Sequence, residues 1–261
     1  MGQFDGLKNR FGTGQSDPQP RSAASLKGRL VNIRVDRDLR TANRLLGPNG
    51  VRSDFFWPDA PRSEWPYNYR TARQLRETAF KTALSKMAGQ QPHLKPFLDR
   101  VRYQPEKIQS LNSCAQTGGW IDDLENQPYC NVNDSAFKDQ HFLQRTLRHE
   151  IWHWHQRQNP QLFRGGNAEE RKEFRDFDAH LRDLESENDF QLRDEEEFWS
   201  LRNAYDNLQA TMQRTYWQQF DDKTKKKYLE RFERERTRVC GKLANTYLSK
   251  DPYYGLICKR P

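Results

Sequence analysis
The run His149-Glu150-Ile151-Trp152-His153 constrains this chain more than any other feature, because an HExxH spacing carries chemical meaning only if the backbone there is helical. On a helix, residues four apart share a face, so the rings of His149 and His153 lie one turn apart and can bind one cation. Glu150 projects beside them and need not ligate, which leaves it available as general base on a metal-activated water. The flanking sequence supports a helix, since Leu143, Leu147, Ile151 and Trp154 form an apolar stripe at spacings of four, four and three. Asp134 or Ser135 is read as the cap, and Pro160 lies just beyond the end. The metal face runs Phe142, Thr146, His149, His153, adjacent to the apolar stripe. The competing reading is a solvated helix with His149 and Glu150 turned outward. His155 follows His153 by two residues and falls nearly opposite it, so it and His141 are read as surface or supporting residues.

Two histidines make a weak site, because a catalytic zinc usually has three protein ligands and one open position. After Pro160 a loop contains Gly165-Gly166, and a second helix is expected from near Ala168 toward Asn188. On it Phe174, Phe177, Leu181 and Leu184 form a core stripe, with Glu173 and Asp178 on the two flanks, either of which could reach the metal. Ahead of the motif, Gln116 to Ile121 and Pro128 to Val132 read as two short strands joined by a polar turn. The glycines Gly118 and Gly119 there mark either a bulge or a place where another backbone approaches.

From about Ser113 to His180 the chain resembles the zincin metallopeptidases, in particular the gluzincins, whose third zinc ligand is a glutamate on the helix after the HExxH helix. In the thermolysin-like pattern that glutamate follows the second histidine by twenty positions, which from His153 arrives at Glu173. The segment Asp178-Ala179-His180 also resembles the acid-Ala-aromatic or His segment of many small bacterial zincins, which would instead make Asp178 the ligand and His180 a nearby polar group. Glu173 is preferred, Asp178 is the alternative, and Glu185 and Glu195 to Glu197 are outsiders. The resemblance further implies that an edge strand before the active helix binds the substrate backbone by strand addition, a place that Gly118, Gly119 and Trp120 fit. It implies Zn2+ as cofactor and a protein or peptide as substrate. An oxyanion donor would come from downstream, with His180, Arg202 and Tyr205 as candidates.

The expected fold is α+β and zincin-like: a small mixed sheet with an edge strand before the HExxH helix, followed by a mainly helical C-terminal half. Residues 1–25 carry Gly, Ser, Gln and Pro without periodicity and are read as a flexible leader with no apolar signal-peptide core. Residues 26–261 form the metallopeptidase domain, with sheet and active helix in 26–160 and a helical lower half in 161–261. Leu30 to Val35 alternates as a first strand, Arg70 to Met87 has helical periodicity, and a shorter helix is expected over Leu94 to Val101. Two long polar helices, about Asp194 to Gln219 and Lys223 to Ser249, are expected to close the cleft from below.

No segment approaches the about 18 uninterrupted apolar residues of a membrane span. Of the four cysteines, the most local pairing is Cys114 with Cys130 and Cys240 with Cys258. Disulfides need an oxidising space, so with no signal peptide the chain fits secretion by another route, with a cytoplasmic location as the alternative. In build it resembles bacterial effector or toxin metallopeptidases delivered by specialised machinery. The formal charge of +8 permits attraction to polyanions, yet acids and bases are interleaved and no nucleic-acid-binding motif is present. Nucleic acid is therefore not read as the primary partner, and the oligomeric state is not indicated. The alternative function is a noncatalytic helical module that binds nucleic acid or protein, with HExxH incidental.

Overall fold
A computed structural model describes residues 34, 36–45, 67–104, 115–118, 129–158, 163, 165–186 and 190–258. Helix α1 (36–45) buries Leu39 and Ala42, and Asn43 donates to the backbone oxygen of Phe137 at 3.1 Å. Arg34 is also helical, against the strand expected over Leu30 to Val35, whose other positions lie outside the described residues. Helix α2 (Tyr67–Gln90) matches the predicted periodicity and buries Ala72, Ala79 and Ala83 beside Phe80 and Met87. Its alanines leave no bulk on the core side, so neighbouring backbones can approach. A 3-10 turn (Pro92–Leu94) leads into the short α3 (Lys95–Leu98).

Strand β1 (Val101–Tyr103) begins where the expected short helix was to end; Val101 and Tyr103 point into the core and Arg102 points out, the period-two alternation of a half-buried strand. Strands β2 (Ala115–Gly118) and β3 (Tyr129–Val132) are the predicted antiparallel pair, with Ala115 opposite Val132 and Gly118 opposite Tyr129. The sheet order is β1-β3-β2, and β1 runs parallel to β3, so the sheet is mixed and β2 lies at its edge. Gly119 and Trp120 lie outside the described residues, as do the leader and the aromatic loop around Pro58 to Pro66.

Helix α4 (Gln140–Gln158) starts later than the expected caps, because Asp134 is occupied elsewhere. The Asp134 carboxylate is buried and accepts from Arg76 of α2 and from the Tyr103 hydroxyl, tying α2, β1 and the approach to α4 together. A buried pair of this kind is costly to break from one side, since the remaining group loses its ion-pair partner. Asp139 caps α4 instead, accepting from Phe142 N at 2.8 Å. Leu143, Leu147 and Ile151 are buried as the periodicity predicts, and the half-buried Trp154 packs edge-on against Phe97.

Helix α5 (Ala168–Glu185) opens with a capping box between Asn167 and Glu170 and buries the predicted stripe Phe174, Phe177, Leu181 and Leu184. The remainder is shorter than predicted in each element. Helix α6 (Asp194–Met212) stops before the short α7 (Thr215–Gln218), and α8 (Asp222–Leu243) is followed by a 3-10 turn (Tyr247–Lys250) and α9 (Pro252–Cys258). The break after α6 lets Tyr216 and Trp217 turn into the core against Phe174, which a continuous helix would not allow. Cys240 and Cys258 form a disulfide with Cα atoms 5.5 Å apart, fastening α9 to α8 as the local pairing predicted. Cys130 is buried in β3, and Cys114 lies outside the described residues.

The architecture is α+β, mostly helical with one small sheet. Its apolar residues fall into two clusters: one joins α1 to α4 with the sheet, and the other joins α5 to α9. Helix α6 packs along α5, and α4 also packs against α5. The seam between α4 and α5 is where the two clusters meet. Among the described residues no helix is long and apolar enough to cross a membrane.

Candidate metal centre
The HExxH segment lies wholly within α4, so its two imidazoles share a face as the spacing requires. The ring centroids of His149 and His153 are 4.9 Å apart and nearly perpendicular, at 84°. This face turns toward α5, where Asp176, His180 and Asp183 form a stripe at i, i+4 and i+7.

Each imidazole is held by its Nδ1 atom. His149 Nδ1 donates to Asp183 Oδ2 at 2.8 Å, and the Asp183 side chain is only 4% exposed. His153 Nδ1 meets Gln156 Oε1 at 2.9 Å. The orientation of the Gln156 amide follows from its other contacts: its Nε2 donates to the Arg175 carbonyl at 2.8 Å and to Asp178 Oδ2 at 3.0 Å, both obligate acceptors. Its oxygen must therefore face His153, and His153 Nδ1 must be the donor. In the neutral rings the lone pair then sits on Nε2 in both histidines.

The electrostatics of the seam separate the half-buried His149 from the buried His180. Burial disfavours the charged form of His149, but the Asp183 carboxylate outweighs this and, with help from Glu150, raises its pKa above the ordinary value. His180 has the opposite balance. Burial and the neighbouring His149 push it down to about 4, so at neutral pH it is an uncharged ring. Burial alone would raise Asp183, yet the hydrogen bond and charge of His149 hold it well below the usual carboxylate range. The His180 and His149 rings lie 4.5 Å apart, tilted by 35°, and Trp199 of α6 meets His180 edge to face at 5.0 Å. Arg145, one turn before His149, lies over the Trp199 ring at 4.3 Å and donates to Ser200 Oγ at 3.0 Å.

The expected third ligands lie elsewhere. Glu173 forms a two-pronged ion pair with Arg214, at 2.8 and 3.1 Å. Asp178, 1% exposed, accepts from Gln156 and from Arg182 and sits 3.5 Å from Arg231. It supports His153 through Gln156 rather than facing the imidazole Nε2 atoms. Glu185 pairs with Arg231 and Arg234, Glu196 with His141, and Glu197 with Arg238 and Lys242. Of the oxyanion candidates only His180 is at the seam; Tyr205 is in the core of the helical half, and Arg202 stacks on Tyr253. His141 and His155 point away from the centre, toward Phe190 and Trp152 respectively.

The residues that the sequence reading passed over are Asp176 and Asp183. Their signal was present as a four-and-three repeat with His180, but it is one among several acidic spacings on a helix where acids and bases are interleaved.

No family model, curated protein or solved structure matches the chain.

Proposed function
We propose that this protein is a zinc-dependent metallopeptidase of zincin type, cleaving peptide bonds in a protein or peptide substrate. The observation that carries the reading is the fixed tautomer of both motif histidines. Ligating histidines characteristically donate their second ring N–H to a carboxylate or amide oxygen, and His149 and His153 do so to Asp183 and Gln156. Nitrogen and carboxylate donors of this kind suit Zn2+, with His149 and His153 from α4 and a third donor from α5. A bound Zn2+ would supply Lewis acidity, activating water and polarising the scissile carbonyl.

Glu150, next to His149 and buried, would take the proton of the attacking water and pass it to the leaving amine. Its charge already acts on His149. Among the described residues β2 pairs on one side only and packs beside α4, and we propose that an extended substrate adds to it as a strand, with Gly118 at its end. The Cys240–Cys258 disulfide favours an oxidising compartment and so a secreted role, as for an effector or toxin.

The test is Glu150→Gln. The variant should keep its metal, measured by elemental analysis, and lose about 10²–10⁴-fold in peptide cleavage. Full activity in Glu150→Gln would remove Glu150 from the mechanism, and a wild-type protein that takes up no zinc would remove the peptidase reading altogether.

A further inference from the structure
We infer that the outer face of α1 is a binding surface for the phosphate backbone of duplex nucleic acid, a second activity that does not depend on the metal centre. Acids and bases balance over residues 161–261, so the whole formal charge of +8 belongs to residues 1–160. In the helical half the arginines are engaged in ion pairs, Arg182 with Asp178, Arg214 with Glu173 and Arg238 with Glu197. Helix α1 is built differently. Leu39 and Ala42 are buried and fix its inner side. Arg37 and Arg44 fall opposite them, Arg34 and Arg40 lie on the two flanks of that outer face, and all four are exposed. Of the two acids on the helix, Asp36 accepts from the Gln140 N–H at 3.1 Å, and Asp38 pairs with Arg37 at 3.2 Å. An exposed pair between neighbours contributes little and is readily exchanged. Among the described residues Arg34, Arg40 and Arg44 meet no carboxylate, and neither do the exposed Arg70 and Lys81 of the adjoining α2.

The chemistry of the row selects its partner. Guanidinium forks match phosphate oxygens with paired hydrogen bonds and are more weakly hydrated than ammonium groups. From Arg34 to Arg44 the row runs about 15 Å, the axial rise of about four nucleotides on one strand of a B-form duplex. A helix that docks on an anionic membrane sets apolar side chains beside its basic ones, and a single strand is held on exposed rings against which its bases stack. Among the described residues the exposed large apolar side chains are Tyr129, Trp199, Met212, Tyr247 and Leu256, none of them on α1 or α2. A duplex presents its phosphates outward and needs neither kind of side chain. Contacts to the backbone carry no base information, so the binding is independent of sequence. The run Lys223 to Lys227 on α8 is the poorer surface, because Lys225 and Lys226 face Asp222 and Glu230 at 3.9 and 3.8 Å.

The experiment titrates full-length protein into short fluorescent DNA and RNA duplexes, a single strand of matching length and phosphatidylserine vesicles, at several salt concentrations. Wild type is compared with Arg34→Gln, Arg37→Gln, Arg40→Gln and Arg44→Gln combined, with Arg44→Gln alone, and with Lys223→Gln, Lys225→Gln, Lys226→Gln and Lys227→Gln combined. Wild type should bind duplex with a Kd of about 10⁻⁴–10⁻⁶ M at physiological salt, and log affinity should fall against log salt with a slope of about −3 to −4. The combined arginine variant should lose most of that slope and Arg44→Gln about one unit of it, with helical circular dichroism unchanged because the side chains are exposed. The lysine variant removes the same charge and should bind as wild type does, and a duplex of shuffled sequence should bind equally well. The tighter of the DNA and RNA duplexes identifies the natural partner. No duplex binding at low salt, equal losses in the arginine and lysine variants, or tighter binding to the single strand or the vesicles than to either duplex would each overturn the assignment. Zinc content and peptide cleavage, read on the same proteins, report separately on the metallopeptidase reading.

Discussion
At the scale of single residues, the seam between α4 and α5 links protonation to stability. His180 has an ordinary pKa of 6.5 and a folded value of about 4, so between these limits the unfolded chain binds the extra proton. Its contribution is present above pH 6.5 and is lost as pH falls toward about 4, amounting to about 3 kcal/mol. His149 works with the opposite sign: its raised value means that its contribution is complete below 6.5 and is lost as pH rises through the folded pKa. Asp183, held low, adds a further loss as pH drops below its ordinary 3.8. The metal-free protein should therefore be most stable near pH 6.5, and His180→Gln should flatten the acidic limb while leaving the alkaline one. Urea unfolding midpoints collected across this range in the presence of a chelator check this; an acidic slope between pH 6.5 and about 4 as steep in His180→Gln as in wild type contradicts it.

At the scale of elements, the placement of α5 depends on the turn that precedes it. Gly165 and Gly166 adopt φ of 86° and 61°, the left-handed region that costs other residues about 1–2 kcal/mol. At Gly166 an added Cβ would also stand 2.8 Å from Cδ2 and 3.0 Å from Cβ of Tyr216, which is packed in the core. At Gly165 the nearest obstacle is the Gln219 amide oxygen, the movable end of a side chain. Gly166→Ala should thus destabilise the protein by about 2 kcal/mol or more and Gly165→Ala by about 1 kcal/mol. Equal thermal shifts for the two would show that the contact with Tyr216 does not matter. Because this turn sets the start of α5, Gly166→Ala should also loosen the pairing of Asp183 with His149, visible as weaker zinc binding.

At the scale of the whole molecule, two apolar clusters are joined along the helix pair that carries the candidate centre. The disulfide lies in the cluster of α5 to α9, with both cysteines beyond the last residue of the seam. Opening a loop of its 18-residue separation should cost about 3 kcal/mol, so Cys258→Ser should lower the melting temperature. Metal affinity should be retained, since Cys258 is packed with the helical cluster and not at the α4–α5 seam. A Cys258→Ser protein that melts as wild type does would show that α9 is held by its buried Tyr254 and Ile257 alone.

The α+β class, the helices α2, α4 and α5, the β2–β3 pair and the shared face of His149 and His153 were all readable along the chain, because periodicity and capping act within one element. The same logic failed at the helical end, where Met212 to Thr215 carries no strong breaker, while the structure divides the helix there and packs Tyr216 and Trp217 against Phe174. It also could not rank the acids of α5. The stripe of α5 told which side is buried, but acids occupy both of its flanks, and periodicity ranks neither. Which flank meets α4 is decided by how two hydrophobic clusters dock, a relation between residues far apart in sequence. That docking gave Glu173 to Arg214 and set Asp176, His180 and Asp183 against the two histidines.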